Sequence, residues 1–341
     1  MKAIVVLKPG VAVFKNDVPA PQPGPYEALV KVGACAFCNG TDMHIINGTT
    51  DRQSESSYPI ILGHEACGEA VELGEKVRYI HIGDRFIRPD TPPKYGEYTN
   101  IYGNMAEYAL AVDRQAMLED GFKQESLPSE QNCGRIPSNI SFVDGSVMLS
   151  LLECLSALHN FGFASGMDVL VYGAGPMGLG VVNFLNILGA RTVALTDMSG
   201  ERLRNAGRRF NIHYAIDVSR QKTTTVLSGR LFDMVIDLAG SADILLEGTN
   251  LLKPGGKLCS MGVLSKKGAC LDLTKLKNNS TLHMLNDPCK RLSYMDDLVQ
   301  MIDNGSINLK NFYSHVLSVE DIEEGLRLIS KKEALKVVFT F

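Results

Sequence analysis

The chain has 341 residues, with 34 Lys plus Arg against 38 Asp plus Glu and a formal charge of −4; at roughly 100 to 200 residues per domain, this length points to two domains. Hydrophobic residues at 45% and charged residues at 21% are globular values and exclude disorder and collagen. The lack of a cationic excess excludes nucleic acid as a partner. The opening MKAIVVLKPG holds five apolar residues, 3–7, before Lys8 and Pro9, too few for the core of an export signal. No apolar run reaches the roughly eighteen residues of a spanning helix, since Glu153 and several serines interrupt 147–158, and no membrane is expected. The eight cysteines, Cys35, Cys38, Cys67, Cys133, Cys154, Cys259, Cys270 and Cys289, are scattered through the chain. This suggests metal binding or free buried thiols in a reducing, cytoplasmic setting.

In chain order, 3–7, 27–33, 66–73, 85–87 and 106–111 read as short strands divided by Pro-Gly and Gly-Asp turns, an irregular, mostly β domain. From Val147 the strands DVLVYGAG, TVALTD, FDMVIDLAG and GKLCSMG alternate with helix-length segments, the rhythm of a parallel sheet. Residues 295–304 have helical spacing with Gly305 as stop. Residues 318–321 form a capping box for a helix to about Lys332, and 335–341 form a last strand.

The run 168–172 leads into Gly173, Gly175 and Gly178 of GAGPMG, with Pro176 and Met177 between them, and then into an apolar helix, 179–188. The first glycine permits the tight turn, the second admits a pyrophosphate against the backbone, and the third lets helix and strand close. Asp197 follows Gly178 by nineteen residues at the end of the next strand, where a carboxylate accepts the ribose hydroxyls of NAD and repels a 2′-phosphate. Arg202 is the nearby group that would favour NADP. Residues 237–240 and 261–263, with Ala239, Gly262 and Val263, close later strands of the same sheet and are expected at the nicotinamide half.

The segment CNGTDMH, from Cys38 to His44, precedes Gly63-His64-Glu65, and Glu153 opens ECLSALH. Thiolate, imidazole and carboxylate are donors that zinc accepts, and three protein ligands with an open fourth position make a catalytic site. Together with GAGPMG and the terminal KVVF, these segments resemble the zinc-dependent medium-chain dehydrogenases, and especially their sorbitol (polyol) dehydrogenase branch, over nearly the whole chain.

The resemblance implies an α/β protein: a GroES-like, mostly β catalytic domain over 1–148, completed by 291–341, and a Rossmann domain with a doubly wound parallel sheet over 149–290. It implies Cys38, His64 and Glu153 as zinc ligands, Glu65 in or just behind the ligand shell, and Asp42 as the group that orients the ligating histidine. Two residues, Asn39 and Gly40, separate Cys38 from Thr41 where the family has one, which leaves Cys35 as a competing donor. Cys154 stands directly after Glu153 and competes with it. Relatives often carry a second, structural zinc on four cysteines, but 85–112 holds none, so one catalytic zinc and a differently packed lobe are expected. Cys67, Cys133, Cys259, Cys270 and Cys289 then read as small buried hydrophobes.

The implied chemistry is hydride transfer from a secondary alcohol polarised by zinc to NAD, with the proton leaving through Thr41, the ribose and His44. The expected substrate is a polyol, sugar alcohol, aminopolyol or cyclitol. His283, Arg291 or Tyr294 would stand in for the family's substrate contacts. A zinc-free quinone or enone reductase and a non-catalytic NAD(P)H-binding protein are the rival readings. A homodimer or homotetramer is expected through late strands such as 257–263.

Overall fold

The computed structural model describes residues 1–49, 57–129, 132–263 and 271–341, so Cys270 lies outside the described residues. These divide into two compact units, Met1–Leu149 with Phe312–Phe341, and Ser150–Asn311.

The first unit contains β1 (Ala3–Lys8), β2 (Val11–Lys15), β3 (Glu27–Ala36), β4 (Ile60–Ile61), β5 (Glu65–Leu73), β6 (Arg85–Ile87), β7 (Lys94–Tyr95), β8 (Tyr98–Asn100), β9 (Tyr108–Val112) and β10 (Gly134–Ile136). Along β3, Ala28, Val30, Val32 and Ala34 alternate inward, the period of a half-buried strand. Past Ala34 the strand is buried on both faces, where Cys35 and Phe37 join Ile45, Val337 and Phe339 in one core. Residues 88–104, which carry no cysteine, form the β7–β8 hairpin, with Tyr95 and Tyr98 packed on Ala3, Val5, Val18, Ile61 and Ala106. Aromatic burial holds this lobe.

The second unit carries β11 (Asp168–Tyr172), β12 (Thr192–Asp197), β13 (Tyr214–Asp217), β14 (Phe232–Asp237), β15 (Leu252–Ser260) and β16 (Thr281–Met284). Among the described residues these form a six-stranded sheet in the order β13-β12-β11-β14-β15-β16, parallel throughout. That is the doubly wound dinucleotide-binding order, with its reversal between β11 and β14. All five residues of β11 are buried, as expected for a strand covered on both faces.

At the amino ends of these strands Asp168 accepts from Arg191 Nε at 2.9 Å and Lys253 Nζ at 2.8 Å, and Lys253 also reaches Asp233. Because β15 pairs on both sides, the edges of the sheet among the described residues are β13 and β16. The expected oligomer strand 257–263 is therefore largely an inner one.

The chain returns to the first unit at Phe312 rather than at 291. Residues 289–311 stay with the second unit because Ser156 Oγ donates to the Cys289 carbonyl at 2.6 Å, Tyr294 stacks on His159 at 4.6 Å, and Arg209 donates to the Asn311 carbonyl. The helix expected from the 318–321 box begins as a 3-10 turn, with Ser318 Oγ accepting from Glu320 N, and runs as Ile322–Ser330. β17 (His315–Ser318) and β18 (Val337–Thr340) then complete the β3 sheet, with Phe339 opposite Cys35.

One expectation is corrected. Helices Phe142–Ser146 and Met148–Phe161 are consecutive, and the run Phe142–Phe161 is long and apolar enough, by length and composition, to cross a bilayer. One glutamate and a few serines do not lower its hydropathy enough to exclude that. Yet 72% of its apolar window is buried inside the protein, so this is the apolarity of a core helix.

Candidate active site

Phe37 N–H bonds to the Val337 carbonyl at 2.8 Å, and the next three residues turn into the helix Thr41–Asn47. Gly40 caps this helix without a side chain, so Asp42 and Cys38 organise the turn instead. Asp42 Oδ2 accepts from Cys38 N at 2.8 Å, and Thr41 N–H points to Cys38 Sγ at 3.4 Å. The thiol is thereby fixed at the start of the helix.

His64 enters from Gly63, whose φ is +89° and where a Cβ would stand 2.6 Å from Met105 N; this approach requires glycine. The imidazole is 10% exposed. Its Nδ1 lies 3.5 Å from Asp42 Oδ1 and its Nε2 lies 3.9 Å from Glu65 Oε1. Neither His64 Nδ1 nor Asp42 Oδ1 has a well-aligned hydrogen-bond partner, so the two are poised at the long edge of bonding range. Burial opposes an imidazolium here, but Asp42 and Cys38 outweigh it and hold His64 well above its usual value. Surroundings that favour a positive charge at this ring also suit a cation.

Glu65 Oε2 accepts from Lys336 Nζ, and both side chains are buried. Burial lowers the lysine, yet Glu65 and Cys38 raise it further and keep it charged.

Cys38, His64 and Glu65 offer Sγ, N and O donors that all lie within 4.8 Å of one another. Zinc bonds of about 2.0 to 2.3 Å require donors only slightly closer than that, and the mixed donor set suits zinc. Cys35 is not in this cluster. It is fully buried, donates weakly to the Ala36 carbonyl, and burial pushes its thiol well up. His44 Nδ1 pairs with Thr49 Oγ1 at 2.7 Å near the surface.

Glu153 belongs to the second unit, where its Oε1 lies 3.9 Å from Arg291 Nη1; Arg291 also pairs with Asp287. Cys154 is buried beside it and its thiol donates to the Met177 carbonyl at 3.4 Å. His283 packs edge-on against Phe161 at 5.0 Å. These contacts and the Tyr294 stack occupy the residues expected to touch substrate.

In the glycine turn, Gly175 caps the helix Pro176–Ile187 with Pro176 in its first turn, leaving the backbone N–H groups of a helix start open to an anion. A Cβ on Gly178 would stand 1.8 Å from the Gly173 carbonyl oxygen, so strand and helix close only over glycine. Asp197 fastens this turn to the end of β12: Oδ2 accepts from Ala174 N and Oδ1 from Ser199 N, both at 2.8 Å. Each oxygen retains a lone pair for a ribose hydroxyl. Arg202 lies in the next helix, its N–H on Ser199 Oγ at 3.3 Å.

The turns carrying Ala239, Gly262 and Val263 are gathered by Asp237. Its Oδ1 accepts from Ala239 N and Gly240 N at 2.9 and 3.0 Å, and its Oδ2 accepts from Ser260 Oγ at 2.9 Å. Its own carbonyl accepts from Met261 N and Gly262 N.

Two family models match, the alcohol dehydrogenase GroES-like domain over residues 24–119 and the zinc-binding dehydrogenase domain over 176–287. The chain belongs to the zinc-dependent medium-chain dehydrogenase family.

Relatives of this dehydrogenase include the L-threonine 3-dehydrogenase of Rhizobium johnstonii, 27% identical over 352 residues that cover 99% of this chain and 98% of that one. Its fold is shared by an Escherichia coli enzyme described as a short chain alcohol dehydrogenase, complexed with NADH (TM-score 0.80, 21% identity, 100% and 99% of the two chains). It is also shared by Escherichia coli galactitol-1-phosphate dehydrogenase (TM-score 0.78, 21% identity, 100% of both chains).

Sequence reasoning misses Lys336, which reads as the polar start of an apolar strand; a lysine heading a buried run, KVVF, is the available signal for it. Asp237 falls within the expected strand end 237–240, but its part in gathering the later turns is visible only in the structure.

Proposed function

We propose that the chain oxidises a secondary alcohol bearing a neighbouring hydroxyl or amino group, in a zinc-dependent reaction with NAD. The observation that carries this reading is the convergence of Cys38, His64 and Glu65 with Asp42 behind the histidine. When bound, zinc supplies Lewis acidity toward an alcohol oxygen, and the nicotinamide supplies the hydride acceptor.

The remaining work belongs to the chain. Cys38 and His64 hold the metal, with Glu65 as third donor and Glu153 as the sequence-derived alternative carboxylate. Asp42 orients the imidazole so that Nε2 faces the donors. Lys336 holds Glu65 in place through their buried ion pair. The Thr41 hydroxyl, beside Cys38, and His44, near the surface, give a proton route outward. Asp197 and the glycine turn bind the cofactor, and the carboxylate supports NAD over NADP. Ala239, Gly262 and Val263 contact the nicotinamide half. The absence of a four-cysteine set in 85–112 supports one zinc per chain.

The polyol-type ligand pattern supports polyols and cyclitols as substrates, and the name of the Rhizobium relative supports β-hydroxy amines. An oligomer built through the β16 edge fits this reading, and sedimentation checks it.

The test is metal content with NADH formation over a panel of polyols, aminopolyols, cyclitols and L-threonine. One zinc and turnover of at least one substrate are expected, and both should disappear in His64→Ala. Activity retained in a metal-free protein would sink the reading in favour of a zinc-free reductase. Zinc retention in Glu65→Gln against Glu153→Gln identifies the carboxylate ligand.

A further inference from the structure

Two residues, Asn39 and Gly40, lie between Cys38 and Thr41, and neither is in the donor cluster. At Gly40 φ is −89° and a Cβ would meet nothing within 4 Å, so neither backbone conformation nor space demands glycine there. Asn39 differs, because its side chain reaches the far end of the chain.

β3 ends at Ala36, which pairs with Glu65 of β5 on one side and Val338 of β18 on the other. Carried on in the same antiparallel register, Phe37 stands opposite Val337, Cys38 opposite Lys336 and Asn39 opposite Leu335. Phe37 N–H still makes its bond, to the Val337 carbonyl at 2.8 Å. Hydrogen-bonded positions alternate along an antiparallel pair, so the next bond due runs from Asn39 to the Leu335 carbonyl. Asn39 and Gly40 are already in a turn, and the Asn39 side chain supplies that bond instead: Nδ2 donates to the Leu335 carbonyl at 2.9 Å. A carboxamide carries the same kind of donor as a peptide N–H, so the ladder is continued by one position after its backbone has left.

The two bonds bracket Cys38 on one strand and Lys336 on the other. Lys336 is in turn bound to Glu65, so the same bracket fixes the thiol donor relative to the carboxylate donor. Inside the turn, Asp42 Oδ2 and Thr41 N–H hold the thiol to its own helix; Asn39 ties that turn to the carboxy-terminal segment. The centre lies where a row of the sheet runs out, and ends of elements open most easily.

We propose that Asn39 is a positioning residue for the metal centre: its carboxamide replaces a ladder bond to Leu335 and so holds the Cys38 thiolate at the spacing from Glu65 that a bound zinc needs. This rests on the zinc reading above and adds to it the residue that presets the donors. A donor already in place gives up less freedom when the ion binds.

The experiment uses the full chain. Zinc affinity is measured by competition with a chelator, and the thiolate-to-metal charge-transfer band is read in protein loaded with Co²⁺. In Asn39→Ala zinc affinity should fall about tenfold or more, and the cobalt band should weaken or shift. Asn39→Gln, which keeps the donor on a longer arm, should recover part of both. Thr340→Val removes another side-chain bond of the same sheet, from Thr340 Oγ1 to the Leu317 carbonyl at 3.2 Å. It should leave affinity and band at their wild-type values, which separates positioning from general weakening of the sheet. In metal-free protein, alkylation of Cys38 by iodoacetamide, followed by peptide mass spectrometry, should be severalfold faster in Asn39→Ala than in wild type. Wild-type zinc affinity in Asn39→Ala overturns the proposal, as does an equal loss of affinity in Thr340→Val. If wild type binds neither ion while Cys38 alkylation still speeds up in Asn39→Ala and not in Thr340→Val, the zinc reading fails and the tether at Cys38 stands.

Discussion

In the first unit, segments around Cys38, His64 and Lys336, as much as three hundred residues apart, bring charged side chains into a buried cluster. In the second, one contiguous stretch, 168–197, builds its turn from backbone N–H groups, three glycines and a single carboxylate. The first arrangement depends on charges balancing one another in a medium that screens them poorly. The second depends on close approach of main chain. Damage should therefore act differently in the two units, by electrostatic imbalance in one and by loss of cofactor fit in the other.

The harshest test of that contrast is Lys336→Met. It leaves the buried Glu65 carboxylate without its cation and should cost about 3–5 kcal/mol of stability, measured by urea unfolding of the metal-free protein. Adding Glu65→Gln should return much of the loss. If the single variant unfolds like wild type, the cluster is not governed by charge balance.

Asp42→Asn is milder. It keeps the size of the side chain but weakens the acceptor behind His64, and zinc affinity measured against a competing chelator should fall about 10- to 100-fold. Unchanged affinity would mean the imidazole is oriented by packing alone.

In the second unit, Asp197→Ala removes an acceptor shared by Ala174 and Ser199. NAD affinity should drop roughly tenfold while zinc content stays at the wild-type value, and NADP should lose less. Equal losses for the two cofactors would detach Asp197 from ribose selection.

The smallest effect is expected at the opposite end of that sheet. Arg191 and Lys253 hold Asp168 well below the usual carboxylate range, the Arg191 hydrogen bond contributing most. Because the folded value is depressed, this stabilisation is present above the unfolded value of about 3.9 and fades as the pH falls below it. Arg191 is largely exposed, so Arg191→Gln should lower stability only slightly at neutral pH, read as a small fall in the urea midpoint. The gap from wild type should close in acid; a gap that widened there would contradict the sign.

Much of this molecule could be read before its structure. The parallel rhythm after residue 147, the glycine turn and the cysteine-free lobe are local signals, because each is written in hydrogen-bonding patterns or steric needs within a few dozen residues. The strands at 3–7, 66–73 and 85–87 were legible from alternation and turn residues. Other features were not. The return of the chain at Phe312 depends on Ser156, His159 and Arg209 meeting residues more than a hundred positions away. The run Phe142–Phe161 does not show in the sequence as one apolar span, because Glu153 and several serines interrupt 147–158, whereas a buried helix tolerates them.

What the sequence determined by itself is the set of donors zinc accepts, the phosphate turn and the order of elements, since side-chain chemistry and backbone sterics are properties of short segments. Tertiary structure alone decided that Cys38 rather than Cys35 joins His64 and Glu65, that Lys336 neutralises that glutamate, and that Asn39 meets the Leu335 carbonyl. Those outcomes are distances between remote parts of the chain, and buried charges tolerate few alternatives once the fold has excluded water from around them.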